Sequence, residues 1–129
     1  MIYLDTSAAL KLILPETETA GLELWIAERA GVPRVSSRLL RIEMMRAVAR
    51  NTPHRMSRAN VILSGVALLS IDEVAPMAEA IGDSMLRSLD AIHLATALGI
   101  RTDLTAFVCY DKRLSDSAQA LGLPVAAPA

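Results

Sequence analysis

Hydrophobic positions along this chain fall into short solid blocks separated by longer mixed stretches. Ile2–Leu4 is such a block, too short for a helix and suited to a buried strand. Asp5-Thr6-Ser7 then supplies helix-capping residues, which predicts a helix to about Leu14, stopped by Pro15. A second helix fits Thr17–Ala30, with Leu22, Leu24, Trp25 and Ile26 apolar and Gly31 at its end. Val32–Ser36 reads as a brief extended piece, and an arginine-rich helix follows over Arg38–Asn51, ended by Thr52-Pro53. Ser57 can cap a helix to about Leu69 that is apolar almost all round, through Val61, Ile62, Leu63, Val66 and Leu68. A helix of that kind belongs in the core or in an interface. Ser70–Asp72 reads as a short strand, and Val74–Met85 and Ser88–Ile100 as helices, with Ser88 capping the latter. Ala106–Tyr110 predicts a strand, Asp111–Leu121 a helix, and Leu123–Ala126 a last strand.

Short apolar strands alternating with helices predict an α/β fold, with a central, mainly parallel β-sheet flanked by α-helices on both faces. No repeat, low-complexity tract or linker interrupts the pattern, so residues 1–129 read as one domain. Its 129 residues are 53% hydrophobic and 21% charged, with six Gly and six Pro, which excludes a disordered or collagen-like chain. Lys11, Glu28 and Gly65 break the apolar stretches well short of the ~18–20 residues that cross a bilayer. Met1–Asp5 lacks the basic flank of a signal peptide. The expectation is a soluble, cytoplasmic protein with no membrane role. Cys109 stands alone, which excludes a disulfide framework and a multi-cysteine zinc site.

Net charge is −1, yet eight of the 13 basic residues lie between positions 29 and 58, where Glu43 is the sole acid. That one-sided segment is either a solvated helix face or a surface for phosphates, and its use of arginine favours planar, bidentate contacts. The acids are distributed more pointedly. Asp5 and Asp111 close predicted strands, where open parallel sheets bind their ligands. Glu43 and Asp90 sit on helices in apolar surroundings. Each has a structural explanation: Asp5 and Asp111 as helix caps, Asp90 answering a helix dipole, Glu43 pairing with Arg46. Together they predict a shared site. Carboxylates ~5 Å apart repel by roughly 3 kcal/mol per pair at an effective dielectric of ~20, so a cation or a shared proton must relieve them. Oxygen ligands alone suit Mg²⁺ or Mn²⁺, and such ions commonly serve phosphate chemistry. Neither G-x-x-x-x-G-K-[ST] nor G-x-G-x-x-G occurs, which argues against a nucleotide-triphosphate enzyme.

Four stretches then carry a resemblance: Met-Ile-Tyr-Leu-Asp-Thr-Ser-Ala at the N-terminus, Arg-Ile-Glu-Met-Met-Arg, Ser-Leu-Asp-Ala-Ile-His-Leu-Ala-Thr-Ala, and Phe-Val-Cys-Tyr-Asp-Lys-Arg-Leu. They resemble PIN-domain ribonucleases, and more narrowly the VapC-type toxins of type II toxin–antitoxin pairs, over essentially the whole chain. By position, the family's acidic quartet falls on Asp5, Glu43, Asp90 and Asp111, with Thr6 or Ser7 as the supporting small polar residue. The resemblance implies an Mg²⁺- or Mn²⁺-dependent endoribonuclease that cuts a structured RNA, such as a tRNA or rRNA loop, by metal-activated water. It also implies a homodimer and a cognate antitoxin, in a heterotetramer or larger complex, whose C-terminal segment covers the acidic site. Arg38, Arg41, Arg46 and Arg50 are the candidate RNA or antitoxin contacts. His93, three residues after Asp90, is placed to hydrogen-bond near the site but reads first as structural, as does Cys109, with His54 as an exposed loop residue and Asp116 as a solvated helix residue.

Two other magnesium-using folds fit less well. A haloacid-dehalogenase-type phosphatase wants a second Asp where Ser7 stands, and a receiver domain wants an acid pair after its first strand. A non-catalytic RNA- or protein-binding module with the same fold is the remaining alternative.

Overall fold

Ile2, Tyr3 and Leu4 are fully buried and form β1 (Ile2–Leu4), the middle strand of a five-stranded sheet. The computed structural model describes residues 1–129. From β1 the chain runs through α1 (Thr6–Lys11), α2 (Thr19–Ala27), β2 (Arg34–Ser37), α3 (Arg38–Asn51), a 3-10 turn (Pro53–Arg55), α4 (Met56–Ser64) and β3 (Val66–Leu69). It continues through α5 (Ala75–Glu79), α6 (Ser88–Gly99), β4 (Ala106–Val108), α7 (Lys112–Ala120) and β5 (Val125–Ala126). The strands lie in the order β3-β2-β1-β4-β5 and every pairing is parallel.

Alternation along the strands divides the core in two. Ile2, Leu4, Ala106 and Val108 pack with Ala8, Leu22, Leu40, Met44 and Leu63, from the helices α1 to α4. Tyr3, Phe107 and Cys109 face the other way, onto Ala91, Leu94 and Ala97 of α6 and Leu114 and Ala118 of α7. Helices therefore cover both faces, as the sequence pattern predicts. Winding proceeds from β1 toward β2 and β3, then restarts on the opposite side with β4. That reversal makes the carboxyl ends of β1 and β4 the natural crevice of the sheet.

Several boundaries differ from the sequence expectation. The long apolar helix over 57–69 is two elements: α4 ends at Ser64, Gly65 turns the chain, and Val66–Leu69 pairs with β2 as an edge strand. Tertiary pairing overrides the helical pattern there. Val61 is 63% exposed while Ala59 and Leu63 are buried, so α4 has one apolar face rather than an apolar surround. Ser70–Asp72 is not a strand. The helix expected over Val74–Met85 contracts to α5, because the Asp83 carboxylate accepts from Met85 N (3.1 Å) and Ser117 Oγ (2.7 Å) and holds an irregular connection. Ser57 and Ser88 are not caps; α4 follows the 3-10 turn directly, and Arg87 occupies the cap position of α6 without a side-chain cap bond.

Part of the basic segment is also structural. Arg55 and Arg58 donate to the carbonyls of Ile13 (2.9 Å) and Leu12 (3.2 Å), satisfying groups that the end of α1 leaves unpaired. Arg29 donates to Trp25 O and lies 4.1 Å from the Trp25 ring centroid. These three are occupied by their own fold rather than free for a phosphate.

Candidate active site

Asp5 and Asp111 leave the carboxyl ends of β1 and β4 and cap the helices that follow. Each divides its two oxygens. Asp5 Oδ2 accepts from Ser7 N (3.1 Å) and Ser7 Oγ (2.7 Å), while Oδ1 lies 3.8 Å from His93 Nε2. Asp111 Oδ1 accepts from Leu114 N (2.9 Å), and Oδ2 lies 3.6 Å from Arg87 Nη2. The capping reading is thus correct and incomplete: one oxygen builds the helix and the other faces the crevice. Ser7 Oγ also accepts from Tyr110 N (2.9 Å), tying the ends of β1 and β4 together around Asp5. The Cys109 thiol sits in the same corner, 3.5 Å from Asp5 Oδ2. Burial, reinforced by the Asp5 charge, pushes its pKa up to about 12, so it stays a neutral thiol.

Glu43 reaches the crevice from α3 and pairs with Thr6 and His93, not with Arg46. Its Oε1 accepts from Thr6 Oγ1 (2.7 Å) and His93 Nε2 (2.8 Å). His93 is 1% exposed. With Nε2–H spent on Glu43, its Nδ1 accepts from the Tyr3 hydroxyl (2.7 Å), which in turn accepts from Ser37 N (3.2 Å). A buried chain therefore runs from the start of α3 through Tyr3 and His93 to Glu43. Burial pushes the Glu43 carboxyl up, but the hydrogen bonds from His93 and Thr6, with the Arg87 charge, outweigh it and hold the pKa below its ordinary value.

Asp90 lies in the first turn of α6, one turn before His93. Its Oδ2 accepts from Arg87 Nε (3.1 Å), so the Arg87 guanidinium spans Asp90 and Asp111. Burial raises the Asp90 pKa; Arg87 opposes that, while the Asp111 and Asp5 charges add to it, and the net shift is upward. The shared Arg87 guanidinium brings Asp90 beside Asp111, and the Ser7 Oγ bond to Tyr110 N brings the end of β1 with Asp5 beside the end of β4. The donor set, carboxylate oxygen throughout, suits Mg²⁺ or Mn²⁺ in kind. No three His, Cys, Asp or Glu side chains are drawn together here at metal-ligand spacing. Two of the acids are held by Arg87 and two lie against His93.

A profile described as PIN domain matches residues 2–119. The chain belongs to the PIN domain family. Among curated relatives, this PIN domain is 46% identical to "Ribonuclease VapC47" of Mycobacterium tuberculosis (strain CDC 1551 / Oshkosh), over 99% of this chain and 97% of that protein. It is 42% identical to "Ribonuclease VapC35" of the same strain, over 99% and 97%, and 41% identical to "Ribonuclease VapC46" of strain ATCC 25618 / H37Rv, over 98% and 97%. In fold it resembles the crystal structure of VapBC2 from Rickettsia felis bound to a promoter DNA fragment, with a TM-score of 0.73 at 14% identity and full coverage of both chains.

Within this PIN domain the structure brings Asp5, Glu43, Asp90 and Asp111 to one crevice with Thr6 and Ser7. The four candidate arginines separate. At ~100° per residue, Arg46 and Arg50 lie about 60° and 20° from Glu43 around α3, whereas Arg38 and Arg41 lie about 140° and 160° away. Arg46 and Arg50 line a shallow groove with Met45, Ala49 and Met56. Asp116 is exposed and paired with Lys112 (3.0 Å), outside the crevice. Sequence reasoning missed Arg87 and set His93 aside as structural. Both stand three residues from Asp90, one turn to either side; that spacing had marked His93 as able to hydrogen-bond near the site, and it was the available signal for Arg87.

Proposed function

We propose that this protein is an Mg²⁺- or Mn²⁺-dependent endoribonuclease, the toxin of a type II toxin–antitoxin pair. The observation that carries the reading is the convergence of Asp5, Glu43, Asp90 and Asp111 on the crevice at the ends of β1 and β4, in a chain whose close relatives are named VapC ribonucleases. Asp5, Asp90 and Asp111 would hold the ion, and Glu43 would complete the set. When bound, a divalent cation lowers the pKa of water and offsets charge on the phosphodiester oxygens. The chain's own residues do the rest. Ser7 fixes the Asp5 carboxylate through two hydrogen bonds, leaving the oxygen nearer His93 for the crevice. Thr6 and His93 hold Glu43 ionised and fixed in orientation, fit to align an attacking water.

The substrate is a structured RNA, such as a tRNA or an rRNA loop, gripped mainly through phosphates. Tyr3 and Phe107 are fully buried and Trp25 is stacked with Arg29, so stacked bases find few platforms. Arg46 and Arg50, on the Glu43 side of α3, are the phosphate contacts the geometry favours. A homodimer and a cognate antitoxin complete the assembly. No helix is long and apolar enough to cross a membrane.

Cleavage of total bacterial RNA, with and without Mg²⁺ or Mn²⁺, tests the reading against Asp5→Asn and Asp90→Asn. Discrete fragments that need the cation and vanish in both variants are expected. Absence of cleavage by metal-loaded, antitoxin-free protein against RNA of its own host would favour a non-catalytic binding module.

A further inference from the structure

The four acids of the crevice are divided between two side chains, one inside α6 and one at its N-terminal cap. His93 lies against Glu43 and Asp5; Arg87 takes Asp90 and Asp111. The two differ in freedom. His93 is locked inside the core by Tyr3 and cannot leave without unfolding its surroundings. Arg87 is 71% exposed, starts from the non-helical cap position of α6, and makes no other side-chain hydrogen bond. It is also the only cation paired with either Asp90 or Asp111.

We propose that Arg87 is an exchangeable counter-cation of the active site. Its guanidinium neutralises Asp90 and Asp111 while no divalent ion is present, and must leave them before both carboxylates can turn to the ion. Asp90 and Asp111 would otherwise repel each other beside Asp5, and a planar fork that reaches two carboxylates at once relieves that repulsion as a lysine ammonium would not. The swing needs only side-chain torsions at an exposed position, and the displaced guanidinium stays at the mouth of the crevice. The inference rests on the metal-dependent reading above.

Mn²⁺ binding to the full-length protein, measured by isothermal titration calorimetry, tests it. Wild type is compared with Arg87→Gln and with Arg101→Gln, an exposed arginine beyond the far end of α6. Arg87→Gln should tighten Mn²⁺ binding by about three- to tenfold, the range expected for removing two competing, partly screened ion pairs. Arg101→Gln should change it by less than about 1.5-fold, as a screened, distant charge does. In melting curves, added Mn²⁺ should raise the Tm of Arg87→Gln more than that of wild type, because loading no longer displaces a partner. Equal Mn²⁺ affinities in wild type and Arg87→Gln, or equal tightening in both variants, would overturn the exchange and leave the metal-dependent reading intact. Failure of every variant to bind Mn²⁺ would overturn both.

Discussion

Replacing Tyr3 by Phe removes one oxygen from the centre of the molecule and tests whether the chain from Ser37 to Glu43 is real. Tyr3 is 0% exposed, and its ring stacks on Phe107 at 5.2 Å between centroids. Phe keeps that packing. What it loses is the hydroxyl that accepts from Ser37 N and donates to His93 Nδ1. Each of the two groups left unpaired in the interior costs ~1–3 kcal/mol, and the easier burial of Phe offsets part of the sum, so Tyr3→Phe should destabilise the protein by about 2–4 kcal/mol. An unfolding entropy of ~2.1 cal/mol/K per residue over 129 residues gives ~0.27 kcal/mol/K, so the Tm should fall by roughly 7–15 °C. Urea titration measures the loss directly, and an unchanged m-value would show that the native and unfolded states remain comparable. Adding His93→Ala should cost less than the sum of the two single changes, because the partners orphaned by one are removed by the other. A hydroxyl without this role predicts the opposite sign, since Phe buries more easily than Tyr. Stability of Tyr3→Phe within 0.5 kcal/mol of wild type, or above it, would refute the chain.

Opposite pKa shifts at Asp90 and Glu43 predict opposite stability effects in the metal-free protein. Glu43 is held below its ordinary value of 4.5, so its contribution is present above that pH and lost as pH falls through the lowered value. Asp90 is held above its ordinary 3.8, so its contribution is full below that pH and lost as pH rises through the raised value. At pH 7, Glu43→Gln should therefore lower the Tm and Asp90→Asn should raise it, and both differences should shrink toward pH 3; scanning calorimetry decides the signs. Hydrolysis by water rather than by the ribose 2′-hydroxyl should leave 5′-phosphate and 3′-hydroxyl ends, so 2′,3′-cyclic phosphates on the products would sink the mechanism. Reversing charge at Arg46 and Arg50 together should weaken RNA binding several-fold and flatten its salt dependence by ~1–2 in log–log slope, while reversal at Arg38 and Arg41 should do less; equal effects from the two pairs would refute the division of α3 into faces.

Local pattern alone determined the architecture and the acids. A three-residue block such as Ile2–Leu4, wholly apolar and followed by Asp-Thr-Ser, can be little else than a strand buried on both faces and leading into a capped helix. The same reasoning reached Asp111, and their apolar neighbours singled out Glu43 and Asp90, because acidic side chains among apolar residues are visible without coordinates. Elements decided by partners far away in sequence were not legible. Val66–Leu69 carries apolar residues that suit a helix or a strand, and only its pairing with Arg34–Ser37 makes it a strand. The arginines look alike as letters, yet Arg55 and Arg58 serve the end of α1 while Arg46 and Arg50 line an open groove on the Glu43 side of α3. His93 and Arg87 could not be assigned before Tyr3, 90 residues from His93, and Asp111 were brought beside them. Periodicity and capping act within a few residues and so are written in the local sequence. Which hydroxyl meets an imidazole, and which carboxylate meets a guanidinium, depends on how the sheet and helices pack, and only the tertiary structure decides it.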